Sequence, residues 1–425
     1  MFRFLRAMMT SQPVPHRVPI PRNGVDYRNK VVLAPMVRSG ELPSRLLALK
    51  YGADLVWGPE TVDRSMIGAT RRINPRNGTV EFTRIPSNGG RPEKAADPAV
   101  IYRLDPAREK GKLIYQMGTA SPKLAVEAAK MVAGDVSGID VNAGCPKSFS
   151  TSGGMGAALL KTPDLLAEIL ETLVREVGNV WEIGISVKIR LLETPELTEK
   201  LVTRLCATGI TGLTIHCRTT PMRPRERAIR EQLPMITSIC RNAGVACLMN
   251  GDVTSRDEAK ALAEEYGADG AMIAVAAEAN PSCFRTEAEG GLLPWRDIVH
   301  AYIETAMQCE NRMGNTKYLL NMLIPGKEAE GREAKMKRTF EDMCLVLKFE
   351  DLLPAAREAD NILGLTGIPK KVKGKRKQEE VPAAPKGTKV PHKSLEPPSL
   401  VSEGDMQQIL PQQPPSGAAG QPVAV

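Results

Sequence analysis

Aromatic residues are scarce in this chain. Three tryptophans, seven tyrosines and seven phenylalanines make up 4% of its 425 residues, and none follows Phe349. Broad base-stacking platforms are therefore not expected; a nucleic acid bound here would be read through its shape and phosphate charge. Long apolar runs are also missing. No stretch approaches the roughly 20 residues that span a bilayer, and the opening MFRFLRAMMT is too short and too arginine-rich for a secretory h-region, so no membrane partner is expected. The eight cysteines (145, 206, 217, 240, 247, 283, 309 and 344) form no CxxC pair. Neither a zinc ribbon nor a disulfide framework is suggested; reduced thiols and no metal are the expectation. Acidic residues are absent from positions 1 to 25, where Arg3, Arg6, Arg17 and Arg22 give the composition of a mitochondrial presequence. Pro13, Pro15, Pro19 and Pro21 would break its amphipathic helix, and residues 1–28 are expected to be a disordered leader. Cytoplasm or nucleus is the expected compartment, with the mitochondrion left open by that leader.

What is present is a globular composition, 42% hydrophobic, with a net charge of +8 that permits a polyanionic partner. Short β-rich apolar runs recur: VVLAP (31–35), LVWG (55–58), KLIYQM (112–117), GIDVNA (138–143), GISVKIR (184–190), ITGLTIHC (210–217), VACLMN (245–250) and GAMIAV (270–275). Between them lie helix-like segments such as PKLAVEAAKMVA and SRDEAKALAEEYGA, opened by Ser, Thr or Asp caps and closed by Gly. Strands apolar on both faces, alternating with helices, call for a parallel sheet. Eight repeats point to an α/β fold, a (β/α)₈ TIM barrel over 29–290. An open doubly wound sheet is the competitor, but no GxGxxG follows the first strand, and GGMG at 153–156 lacks the spacing.

Between the second and third strands, VEFTRI (80–85) and VIYRL (100–104) read as a β-hairpin within an insertion over about 64–111. After residue 290 the pattern turns helical, with Met336, Phe340, Met343 and Leu347 on one face, and a small all-α domain is expected over 291–366. Residues 367–425, basic and then rich in Pro, Gln, Ser and Gly, are expected to be a disordered tail. Its cluster KKVKGKRK (370–377) reads as an electrostatic tether, a nuclear localisation signal or a solvated linker.

The active site of such a barrel lies at the C-terminal ends of its strands. The first strand delivers Ala34, Pro35 and Met36, the third Gln116, the fourth Asn142 and then Cys145. The fifth delivers Lys188 and Arg190, the sixth His216 and Arg218, the seventh Asn250, Gly251 and Asp252, the eighth Ala274, Val275 and Ala276. Any one of these alone fits a satisfied core group at least as well as a ligand contact, except Lys188, since lysine is almost never fully buried without a partner, and a lone buried cysteine is usually a small hydrophobe. Their joint occurrence at matching strand ends is economically explained by a bound polar ligand. The small-residue turns after the last two strands would let backbone N–H groups approach a phosphate, and Lys188 could hold negative charge on a cofactor ring. A flavin phosphate fits better than a dinucleotide.

LAPMVRSGELPSRLLALKYGADLVWGPE, IYQMGT, IDVNAGCPKSFSTSGGMGAALL, VKIR, IHCRT, MNGD and NTKYLLNML, in chain order over about 30–350, together resemble the tRNA-dihydrouridine synthase family, in its eukaryotic type acting on uridine 20 of the D-loop. The resemblance implies a TIM barrel holding FMN, a helical domain that helps hold tRNA, and reduction of the uracil C5=C6 bond with NADPH or NADH as hydride donor. By motif, Pro35, Met36 and Val37 would line the flavin, Gln116, Lys188 and His216 would contact its ring or phosphate side, and Asn142 would contact flavin and substrate. Asn250, Gly251, Asp252, Ala274 and Val275 would take the ribityl phosphate, and Cys145 matches the catalytic cysteine. Lys147, Arg218, Arg223, Arg225 and Arg227 are candidate tRNA phosphate contacts, each equally readable as a solvated charge. Val275 stands where the family commonly has arginine, and nothing after 350 has the composition of the double-stranded-RNA-binding domain of some animal relatives. A small-molecule FMN-dependent pyrimidine oxidoreductase and a non-catalytic tRNA-binding relative are the alternatives; a monomer is favoured.

Overall fold

The computed structural model describes residues 18–85, 98–223 and 225–366. They belong to one compact unit, Met1–Ile368, while Pro369–Val425, and with it nearly all of the expected tail, lies outside the described residues. Among the described residues no helix is long and apolar enough to cross a membrane.

The strands in chain order are β1 (Lys30–Leu33), β2 (Leu55–Trp57), β3 (Thr61–Val62), β4 (Thr70–Ile73), β5 (Val80–Arg84), β6 (Ala99–Leu104), β7 (Leu113–Gly118), β8 (Gly138–Ala143), β9 (Gly184–Arg190), β10 (Gly212–His216), β11 (Ala246–Asn250) and β12 (Gly270–Ile273). Parallel pairing runs β2-β1-β12-β11-β10-β9-β8-β7, and β2 pairs with β7, so the eight apolar runs close into a parallel barrel. The short β3 adds to the far side of β7. Local chemistry agrees with this layout. Ser121, Thr194 and Ser255 each accept a hydrogen bond from a first-turn N–H of the helix that follows, and Gly267 ends helix Arg256–Tyr266 at φ +68°.

The side chains that point inward are Val32 and Ala34 of β1 and its extension, Leu55, Trp57, Ile114, Ala246, Leu248 and Met272, with Tyr27 below them. Tyr27 is 1% exposed, and a Cβ at Gly212 would lie 2.6 Å from its ring. Glycine at the foot of β10 is thus required by the aromatic plug. That plug belongs to a segment expected to be unstructured: Val18 N–H donates to Gly244 O (3.1 Å), Asn23 N–H to Glu182 O (2.8 Å) and Arg28 Nη2 to Gly244 O (2.8 Å). Residues 18–28 therefore close the lower end of the barrel; residues 1–17 lie outside the described residues.

The insertion holds a three-stranded antiparallel sheet, β4-β5-β6, in place of a two-stranded hairpin. The helical region after 290 has its own core of Tyr302, Leu320, Phe340, Met343 and Leu347, touching the barrel side through Leu47. Met336 differs from the expected face: it is 80% exposed, because Thr339 accepts from Asp342 N–H and starts a new helix, Phe340–Leu347, so the helical period does not run back to 336.

Candidate active site

Each inward polar group stands at a strand's upper end, where parallel pairing sets its height. Gln116 pairs in register with Asp140, Asn142 with Lys188, and His216 with both Arg190 and Asn250. The result is a cleft of about 300 Å³ lined by Pro35, Met36, Val37, Gln116, Asn142, Cys145, Lys147, Lys188, His216, Ala274 and Val275, all expected from the sequence. It is also lined by Arg190, expected at the end of the fifth strand, and by Glu60, Glu278 and Tyr318, which no sequence motif singled out.

Cys145 is held by its neighbours' backbone chemistry. Asn142 Oδ1 accepts from Gly144 N–H (3.0 Å) and Cys145 N–H (3.2 Å), a turn only a short amide or carboxylate side chain can make. The Cys145 carbonyl accepts from Ala157 N–H (2.9 Å), which folds the GGMG segment back under it. Gly156 has φ +58°, and a Cβ there would meet the Cys145 carbonyl at 2.6 Å. Arg190 Nε donates to Gly144 O (2.6 Å) and fastens the turn to β9. Burial pushes the half-exposed Cys145 thiol up, and the Glu60 charge acts in the same direction, against Lys147 and Arg190. The sulfur is thus held as a thiol at neutral pH.

Lys188 is pushed down to about 8 by burial and by Arg190, with Asp140 opposing, and still carries its proton at neutral pH for the most part. Its ammonium has no hydrogen bond or ion pair to a described residue. Burial, with the charges of Lys188, Arg190 and Arg218, pushes His216 down to about 2, so the ring is neutral. Gln116 Nε2 donates to Asp140 Oδ2 (2.8 Å), and Ser186 Oγ donates to Asp140 Oδ1 (2.7 Å). Gln116 thereby turns its carbonyl oxygen toward the cleft. Burial raises Asp140 to about 6, offset by those two hydrogen bonds.

A cation not directly paired to a protein carboxylate, a neutral imidazole and a carbonyl acceptor fit a ring edge carrying both N–H and C=O groups. A flavin or a uracil has such an edge, and the donor set therefore fits the expected cofactor. Val275 is 69% exposed and brings only its backbone.

The structure does not bring every expected residue into the cleft. Asn250 is buried and donates through Nδ2 to Met272 O (2.9 Å), which makes it a brace between β11 and β12. Asp252, at φ +49°, accepts from Arg218 and from Ala228 N–H (2.7 Å), and Gly251 supplies the turn at φ +125°. Arg218 corrects an expectation: it is 5% exposed, donates to Glu226 O (2.7 Å) and lies 3.4 Å from His216 Nε2, so it is a strut of the site and not a surface phosphate contact. Lys147, Arg223, Arg225 and Arg227 are exposed. Glu60 was within reach of the sequence reading, since it ends the second strand's VWGPE, the one strand whose end was not read. Tyr318 comes from the helical region and stacks under the Arg38 guanidinium at 4.4 Å.

Comparison with known proteins gives the following. The family model described as "Dihydrouridine synthase (Dus)" matches residues 32–329. The tRNA-dihydrouridine(20) synthase [NAD(P)+] of Schizosaccharomyces pombe is 49% identical over 331 residues, 77% of this chain and 66% of that protein. Its namesake from Saccharomyces cerevisiae is 45% identical over 76% of this chain and 84% of its own length. The human tRNA-dihydrouridine(20a/20b) synthase [NAD(P)+]-like protein is 31% identical over 60% of this chain and 70% of its own.

Proposed function

The chain belongs to the dihydrouridine synthase family, and from that premise we propose that it reduces the C5=C6 bond of a D-loop uridine in tRNA, at position 20, using FMN and NADPH or NADH. The observation that carries the reading is the placement of the Cys145 thiol in one cleft with Lys188 and neutral His216. Position 20 and the nicotinamide donor rest on the names of the two yeast relatives.

A bound FMN would supply the hydride equivalent that the pyrimidine C6 receives. Gln116, Lys188 and His216 would hold its ring, and Pro35, Met36 and Val37 its face. As hydride reaches C6, negative charge builds on C5 and O4 of the uracil, and the buried Lys188 ammonium, with no direct hydrogen bond to the protein, stabilises such charge strongly. Cys145 is the acid for C5. Its thiol is protonated at neutral pH, held on a turn fixed at both ends, and half-exposed to the cleft where a base would enter. The uridine must leave its stack to reach this depth, at a cost of a few kcal/mol offset by phosphate contacts from the exposed Lys147, Arg223 and Arg225.

The test is direct. Purified protein is expected to be yellow, to bleach on addition of NADPH, and to form dihydrouridine at position 20 of an unmodified tRNA transcript but not in free uridine. A colourless protein that binds tRNA without reducing it would overturn the proposal in favour of a binding relative; turnover of free pyrimidines would favour a small-molecule oxidoreductase.

A further inference from the structure

The Glu60 side chain is unexplained by the reading above. It follows β2 and reaches across the mouth of the cleft to the segment that carries Cys145. Its Oε1 accepts from Ser150 Oγ (3.1 Å), and the Asn142 amide stands close enough to stabilise the same carboxylate. A Cβ at Gly118 would lie 2.4 Å from Oε1, so glycine at the end of β7 leaves the space the carboxylate occupies. The second oxygen, Oε2, is buried and has no hydrogen-bond partner among the described residues. A buried carboxylate oxygen left unsatisfied is costly and calls for an explanation.

Cations surround the sulfur. Lys147 lies on its own loop, Arg190 and Lys188 on β9, and each favours the thiolate. Glu60 is the acidic group that faces it, and Lys147 faces Glu60 in turn. That carboxylate adds to burial in keeping the proton on the acid that has to deliver one, against the same cations that stabilise the uracil's developing charge. We propose that Glu60 is a positioning residue for Cys145: it pins the Asn142–Ser150 segment and balances the cleft's cations, so that the sulfur meets the substrate as a thiol. The inference deepens the synthase reading and rests on it for the use of the proton, but the state of the thiol is measurable without substrate.

Among the described cysteines only Cys145 is partly exposed, so iodoacetamide added to the full-length holoenzyme reports on it, with Cys145→Ala as the blank. Burial pushes the Glu60 carboxyl up, yet it is ionised in the alkaline range where the thiol titrates. Glu60→Gln keeps an acceptor for Ser150 and loses the charge. Alkylation near neutral pH is expected to quicken on the order of three- to tenfold, with the midpoint of its pH profile moved to lower pH. The alkaline limb of tRNA reduction is expected to move the same way. Glu60→Asp, which keeps the charge but shortens the arm, is expected to alkylate at close to the native rate. An unchanged or slower alkylation in Glu60→Gln, or equal quickening in Glu60→Asp, overturns the proposal. Failure of the synthase reading would show separately, as absent tRNA reduction in the native protein.

Discussion

Cys145 is one sulfur among eight, and its surroundings set it apart. Burial pushes Cys217, Cys283 and Cys344 up to about 12, and all seven of the other thiols are buried. Cys145 shares the upward direction and adds access to the cleft. An acid in this position contributes roughly 10²–10⁴ to a rate. Cys145→Ala is accordingly expected to lower single-turnover dihydrouridine formation by about 10²-fold or more, while NADPH still bleaches the cofactor and tRNA still binds. A full single-turnover rate in that variant would remove Cys145 from the acid's role. At this scale the sequence was informative for Gln116, Asn142, Lys188 and His216, each near the end of a strand, where register sets height and direction. It was silent where the partner is distant. Nothing near Arg218 marks it as buried; its partner Asp252 is 34 residues away. Asp140 was hidden inside an apolar run, although the buried Gln116 and Ser186 both depend on it.

Helix Leu42–Lys50 and the insertion are joined by a buried ion pair. Arg45 Nε donates to Glu109 Oε1 (2.6 Å) and Nη2 to Glu109 Oε2 (3.1 Å), while Nη1 reaches Gly40 O and Nη2 also reaches Arg103 O at the end of β6. Arg45 is 0% and Glu109 2% exposed. Removing one partner strands a charge in the interior, which costs about 3–5 kcal/mol, whereas replacing both by apolar groups is often neutral. Glu109→Ala is thus expected to lower the free energy of urea unfolding by an amount in that range, and Arg45→Met with Glu109→Leu to restore most of it; equal loss in both would show that the hydrogen bonds to Gly40 and Arg103 carry the junction. The insertion also shows what patterning misses. β5 and β6 alternate and were legible, but β4 reads TRRI, exposed at all four positions, and carries no apolar period. It pairs through backbone and through Arg72 to Glu81 (2.9 Å), a contact no local window contains.

On the scale of the whole molecule, carboxylates tie the insertion to the helical region. Glu310 Oε2 accepts from Asn74 Nδ2 (3.0 Å) and from Arg76 Nη2 (2.6 Å), and Glu81 Oε1 accepts from Arg103 Nη2 (2.7 Å), whose Nη1 donates to Glu310 O (2.8 Å). Burial pushes both carboxyls up, but Arg103, Asn74 and Arg72 for Glu81, and Arg76 and Asn74 for Glu310, hold them below the usual range. A lowered folded pKa stabilises above the unfolded value of about 4.3 and is lost as pH falls through the lowered one. Arg72 and Arg76 are each 53% exposed, so the effect is discounted for solvent. Amide exchange in β4, β5 and residues 309–316 is expected to rise before that of the barrel strands as pH is taken below about 4; barrel and junction opening together would contradict it.

The net charge of +8 bears on the whole surface, and burial decides which cations a polyanion can reach. Lys147, at the cleft, and Arg223 and Arg225, on the loop after β10, are exposed, while Arg218 is enclosed. Each phosphate contact releases counterions, so affinity for tRNA falls with salt along a slope set by the number of contacts. Arg223→Ala and Arg225→Ala are each expected to flatten the plot of log affinity against log salt by about 1. Arg218→Ala is expected to leave that slope unchanged and to lower thermal stability, since it strands Asp252 and removes the guanidinium beside His216. A flattened slope for Arg218→Ala with unchanged melting would return Arg218 to the tRNA-contacting set.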